Sequence, residues 1–345
     1  MTTPAQQQQK QPPPSGVTRQ VTATQAAAAA GTIALAAELA ILQALAGMIA
    51  AVLAGTMLWA TAGRRLRSMV WTVTSEAERE LRAVISGATA AVRADVLAVM
   101  AADLGPMARL LPALPGTGVP RLTPALHNAF LAALADADES FAAIQRALRA
   151  VPEPERRAVA QELLAQVAAR GLTGLTDTSG RRWDLAAYVR AATSGAVADL
   201  HARLQLAACE AAGIDLVLVT RSDPAPPCPR CAPWVNRVLS VTGRTAGLAR
   251  ITDAGGTFRT ATVAGTVAEA RAAGLLHNSC KDSLIPWADG AVIPASIPHG
   301  TRAPPRRPSH GNDAERARRE HAAALTRSAR QAAARRARLA LRLLP

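Results

Sequence analysis

From Ala26 to Ala60 the only charged residue is Glu38. So long an apolar run has two outlets: a helix buried by other protein, or a helix in a membrane. Leu45, Met48, Ile49, Val52, Leu53 and Met57 follow the i, i+3, i+4, i+7 pattern of one helix face. Gly47, Ala51 and Gly55 repeat every fourth residue on the other, a spacing that lets two helix backbones approach closely. Length permits a membrane span, and the GRRLR that follows would be its cytoplasmic flank. Alanine and glycine add little insertion energy, so a core helix packed on partner subunits fits the same residues. Both readings stay open.

The rest of the N-terminal half is also helical in character. Hydrophobic residues make up 50% of the 345, but aromatics only 3%, and much of the apolar content is alanine. Alanine is at home in helices and buries little area. The opening MTTPAQQQQKQPPPSG reads as a polar, disordered arm over 1–25, and it carries no secretory signal. Residues 64–170 read as helix, with Ser75 and Glu78 offering a capping box before AERELRAVISGATAAVRADVLAVM. Five prolines in LGPMARLLPALPGTGVPRLTP end that helix. New helices follow near Ala125–Ala150 and Pro154–Arg170.

The texture changes after GLTGLTDTSGRRWDLAAYVRAATSG. A long helix closes at Gly213, a natural C-terminal glycine, and Cys209 inside it reads as a small core residue. IDLVLVT, RVLSVTG and TFRTATV then read as strands between Gly/Pro-rich turns. The expected fold class is α+β: a long helical N-terminal region followed by a small mixed α+β module and a basic C-terminal helix. The expected organisation is an arm over 1–25, a helical region over 26–170, with 26–60 as its candidate membrane segment, and the module over 171–290. A proline-rich linker over 291–312 and an arginine-rich helical tail over 313–345 complete it.

The formal net charge is +14, with a pI near 11.3. Such a balance suits a polyanionic partner, nucleic acid or an anionic membrane surface, although a general bias toward Arg and Ala codons gives the same numbers. From Arg302 onward, twelve arginines face only Asp313, Glu315 and Glu320, a local charge of +9. Arg327, Arg330, Arg338 and Arg342 share one helix side, with Arg335 and Arg336 between them. The stripe can neutralise phosphates without reading bases, or be a solvated face whose leucines dock on a partner.

Three of the four cysteines lie in two short pieces, CPRC at Cys228–Cys231 and HNSC at His277–Cys280. Each places two donors three positions apart, and Zn²⁺ accepts Cys₃His tetrahedrally. The 45 residues between the pairs exceed the spacing of a small zinc finger. A structural zinc, a set of core thiols beside a histidine, and a disulfide all remain open; so few cysteines point to a reducing compartment. CxxC with a later His-Asn is similar to metal nucleases that carry a structural zinc, but those need a further helix-borne histidine, and here none follows before His299. No base is placed for a cysteine hydrolase, and no phosphate-binding glycine loop, GxSxG or HExxH occurs.

The run TDTSGRRWDLAAYV, then GIDLVLVTRSDPAPPCPRCAPWVNRVLSVTG, then GLLHNSCKDSLIPW, resembles the phage minor capsid protein 2 family, relatives of the Mu F-type head morphogenesis proteins. The likeness covers about 172–290. It implies a structural head protein, not an enzyme, with Arg182, Trp183, Tyr188 and Trp234 as structural residues. The implied partners are phage portal and capsid proteins, and packaged DNA contacted without sequence preference; no small-molecule substrate is implied. The implied location is the virion or prohead, and the bacterial cytoplasm during assembly. Where the family reads Trp-Gln-Gly, this chain has Trp234-Val235-Asn236; Asn278 and Lys281 flank the last cysteine in place of Pro and Arg, and Ser194-Gly195 stands for an Arg-Thr pair. Roles resting on those side chains are not carried over. A membrane-attached DNA-binding protein and a divergent HNH-like nuclease are the alternatives.

Overall fold

The computed structural model describes residues 15–104, 119, 122–172, 175–176, 182–221, 227–277, 280 and 282–293, with no side chains at 15–20, 103–104 and 175–176. The described residues fall into two compact units. One takes those of 23–88 and 118–196, the other those of 15–22, 89–104 and 197–293.

The first unit is helical. Helix α1 (Ser15–Leu53) starts directly after Pro12–Pro14, where the last of the imino acids that resist helix ends. It therefore reaches into the stretch read as a disordered arm. Its buried stripe, Ala30, Ala34, Ile41, Leu45 and Ile49, keeps helical spacing. The helix closes at Leu53, short of the expected Ala60. Gly55 adopts φ 72°, Gly55 N–H donates to Val52 O and Thr56 N–H to Ala51 O, both at 3.0 Å. That is a Schellman stop, so Gly55 ends the helix and does not continue the small-residue face.

Glu38 is wholly buried, and its carboxylate accepts the Leu172 N–H at 2.9 Å. Val21–Leu53 is long and apolar enough to cross a membrane, and so is Trp59–Ala102, but half of the first window is already buried by the protein itself.

Helix α2 (Trp59–Leu104) runs unbroken through Ser75. The capping box expected there is not formed, because Val70, Thr74, Ala77 and Leu81 carry the buried stripe straight across the site. Helix α3 (Leu122–Arg149) lies antiparallel to α2. Trp59 meets Phe141 edge-on at 5.5 Å, Arg67 meets Asp138 at 3.8 Å, and Glu78 meets His127 at 2.8 Å, so partner numbers fall as α2 rises. After one 3₁₀ turn (Glu153–Glu155), helix α4 (Arg156–Arg170) ends with Arg170 clamping both oxygens of buried Asp136 on α3, at 2.8 and 2.9 Å. A two-residue ladder, β1 (Leu175–Thr176) with β2 (Arg182–Trp183), leads to helix α5 (Leu185–Ala211), whose first turn is capped by Asp184 accepting the Ala187 N–H.

The second unit holds a five-stranded sheet. From Val197 on, α5 belongs to it and stops at Gly213 by the same Schellman pattern, as the sequence suggests. The strands are β3 (Leu216–Arg221), β4 (Val238–Ser240), β5 (Leu248–Thr252), β6 (Phe258–Thr266) and β7 (Asp282–Pro286), in the order β5-β6-β4-β3-β7. Only the β4–β6 pairing is parallel. Helix α6 (Val267–Ala272) follows β6. A capping box is formed instead at its start, by Thr266 and Glu269. One sheet face carries the core of Leu218, Val238, Ala249, Ile251, Ile285 and Trp287. On the other, Val217, Val219, Leu239 and Leu284 are fully buried, and Gln205 of α5 donates to Leu284 O.

Asp215, just before β3, fastens the turn after β4. It accepts from Ser240 Oγ at 2.9 Å, from Thr242 N–H at 2.8 Å and from Thr245 N–H at 3.0 Å. Burial pushes its carboxyl up, but the hydrogen bonds from Thr242, Thr245 and Ser240 outweigh it and hold the group well below the ordinary carboxylate range. A depressed folded pKa means stability present above the unfolded value and lost as pH falls through the folded one. Asp215→Asn should therefore lower stability at neutral pH and lose less of it than the wild type below about pH 4, where a free aspartate protonates; denaturant midpoints at both pH values measure the difference.

Candidate metal centre

The register of two strands brings the cysteine pieces together. β3 and β7 run antiparallel, with Arg221 opposite Asp282, so the end of one strand lies beside the start of the other. CPRC follows the first end and HNSC precedes the second, and both therefore fall at the same edge of the sheet.

Each piece is closed by a backbone hydrogen bond between its first and last residues. Cys231 N–H donates to Cys228 O at 3.0 Å, and Cys280 N–H donates to His277 O at 3.0 Å. A turn closed between positions i and i+3 sets its two end side chains near one another. Pro227, Pro229 and Pro233 limit the backbone freedom around the first pair.

The four side chains meet. Cys228 Sγ lies 3.1 Å from His277 Nε2, and Cys231 Sγ lies 3.5 Å from Cys280 Sγ. Donor atoms of Cys228, Cys231 and His277 fall within 4.8 Å of one another, as do those of Cys231, Cys280 and Asp282, so Cys231 is common to both groups. Cys231 and Cys280 are buried; Cys228 and His277 are half-buried. A tetrahedral zinc would set sulfurs about 3.8 Å apart and sulfur and nitrogen about 3.6 Å apart, as bond lengths near 2.3 and 2.05 Å require. Those two separations are within about half an ångström of these values, whereas Cys280 does not come within 4.8 Å of both Cys228 and His277, so an ion would have to draw the Cys228–His277 pair and the Cys231–Cys280 pair together.

Asp282 completes the surroundings. Its carboxylate is fully buried, takes the Arg221 guanidinium at 2.9 Å, and accepts the Cys280 thiol at 3.2 Å. The hydrogen bond to Cys280, burial and the nearby Asp282 charge all push the Cys231 thiol well above the ordinary range. The bond donated by Cys231 moves Cys280 the other way, against its burial. The two thiols therefore titrate as one coupled pair.

Two contacts hold the turns in place. Gly274, at φ 103°, stops α6: its N–H donates to Arg271 O at 3.0 Å, and Leu275 N–H donates to Ala270 O at 2.8 Å. Arg230, between the two cysteines, lies across the bare α-carbon, and a Cβ on Gly274 would stand 2.9 Å from Arg230 Cδ. Leu276, buried with φ 60°, then directs the chain into His277. A bulky residue in that conformation is an outlier that surrounding structure must enforce. Trp234 packs over Gly265 of β6, whose Cβ would lie 3.7 Å from the ring.

Of the other residues singled out in the sequence, Trp183 and Tyr188 touch edge-on at 6.5 Å, and Arg182 is paired through β2 in the helical unit. Cys209 is buried in α5. Arg327, Arg330, Arg335, Arg336, Arg338 and Arg342 lie outside the described residues. Asp282, Arg221, Gly274 and Arg230 were not anticipated. The one signal for Asp282 is its position two after Cys280, which puts both side chains on one side of an extended chain.

The model of the family described as phage minor capsid protein 2 matches residues 61–336, well beyond the 172–290 over which the resemblance was read. No curated protein and no solved structure matches the chain.

Gly274→Ala should destabilise the chain by about 1–3 kcal/mol, from positive φ and from the Arg230 contact together. Adding Arg230→Ala should restore the contact's share and leave the backbone's. Urea midpoints of the two variants read this; a Gly274→Ala chain as stable as the wild type would show that the close approach does not hold the turns.

Proposed function

We infer, from the fact that this chain belongs to the phage minor capsid protein 2 family, a structural role in a phage or prophage head. Its partners are accordingly other phage head proteins. The family match carries the reading: it runs through most of α2, the later helices, the sheet unit and most of the arginine-rich tail.

In finer terms, the chain sits in few copies near the portal and assists head assembly. Its helical unit offers long surfaces for the portal or capsid. Its C-terminal arginines face packaged DNA and neutralise phosphates without reading bases. The thiol-rich turns brace the sheet unit and perform no chemistry.

The membrane reading has less behind it. Residues 21–53 pass the test of length and hydropathy, yet the one carboxylate in the apolar run is wholly buried and bonded to the Leu172 backbone. Such engagement favours a core helix of a folded unit over a lipid-facing one.

Heads purified on a density gradient from an induced lysate, or from cells co-expressing the neighbouring head genes, test the assignment. Peptides of this chain should sediment with the capsid protein at low copy. Their absence from heads, with recovery in the membrane fraction instead, would overturn it. The DNA contact has its own measure: affinity for a random duplex should drop steeply with added salt, and deleting 302–345 should flatten that slope.

A further inference from the structure

We propose that Cys228, Cys231, His277 and Cys280 bind one Zn²⁺ ion, and that this ion locks the β3 end of the sheet to the β7 end. The inference does not depend on the role in the phage head and stands on the side chains alone.

Four donors of the zinc-binding types converge from pieces 45 residues apart in sequence. Cys228 pairs with His277 at 3.1 Å and Cys231 with Cys280 at 3.5 Å, one donor from each turn in either pair. Cys231 belongs to both donor groups, and a cation that draws the two pairs together uses all four. A disulfide between Cys231 and Cys280 would use two and leave Cys228 beside His277 with nothing to share.

The donor chemistry selects the metal. Three thiolates and an imidazole are soft to intermediate ligands, which suit zinc and not magnesium or calcium. Four protein ligands leave no position open for water, the mark of a structural site. Asp282 stays outside the ligand set, because its carboxylate is held by Arg221 at 2.9 Å. It accepts the Cys280 thiol at 3.2 Å in the metal-free chain, a proton that zinc binding would release.

The ion would also explain the backbone. Leu276 is held at φ 60° immediately before His277, and Gly274 at φ 103° just ahead of it. Both turn the chain so that the imidazole faces the cysteines. A ligand bond to His277 supplies a reason for that strained step to persist.

The test uses the full chain, purified without chelator. Elemental analysis should find about one zinc per chain, as a closed four-ligand site requires. After exchange, Co²⁺ should give the intense visible bands and thiolate charge transfer of a tetrahedral site. Cys228→Ser and Cys280→Ser should each abolish that spectrum, and their losses of stability should be strongly non-additive. Cys209→Ser, which alters a thiol inside α5, should keep both metal and spectrum. Metal far below stoichiometry together with an octahedral cobalt spectrum in the wild-type chain would overturn the proposal. So would mass spectrometry that finds a Cys231–Cys280 disulfide in freshly purified protein.

Discussion

The antiparallel pairing of β7 with β3 is the contact on which the sheet unit rests. Its register, Arg221 against Asp282, decides where the flanking segments go. One segment carries Cys228 and Cys231, the other His277 and Cys280. The pairing thus brings the near ends of two segments far apart in the chain to one end of the sheet. The bare α-carbon of Gly274 under Arg230 removes the last obstacle to their approach. The same pairing aligns the buried Arg221–Asp282 ion pair, whose carboxylate would be costly without its cation.

The helical unit solves a different problem. A chain with 3% aromatics has few large side chains to fill a core. It compensates with length: two long helices, most of each within this unit, whose stripes of alanine, leucine and isoleucine lie at helical spacing. Alanine stripes bury little area per residue but let backbones pack closely, so contact is gained along the whole helix. Polar pins then fix the register. Glu38 holds Leu172, and Arg170 grips Asp136 and Ser140. These pins distinguish one arrangement of similar apolar stripes from its slipped neighbours.

Much of this was legible in the sequence, and the reasons differ by element. The helices after Pro120 and the stop at Gly213 follow from proline and glycine, which act locally. The strand at β3 announces itself by Val217, Leu218 and Val219. The meeting of the two cysteine turns could be suspected from donor types but not placed, because register is a long-range property. β7 was hidden in DSLIP, a short run with two polar residues and a terminal proline; it is a strand because β3 and α5 bury it entirely. β5 was missed because LARIT alternates for only five residues. The false cap at Ser75 shows the opposite error: a motif that is correct in isolation is overruled when a hydrophobic stripe continues through it. Gly55 was counted into a packing face by its spacing, although its place beyond Leu53 makes it a terminator.

The position of β7 in the chain has a further consequence. Synthesis runs from the N-terminus, so β3 and the first thiol turn leave the ribosome long before residues 277–286. In that interval β4, β5 and β6 have all emerged, and β3 still lacks its partner on the β7 side. The sheet is completed by its last strand, and with that strand come the imidazole, the final thiol and the carboxylate that answers Arg221. Closure of the sheet therefore waits for its last strand, and a chain truncated before Asp282 lacks the means to close it.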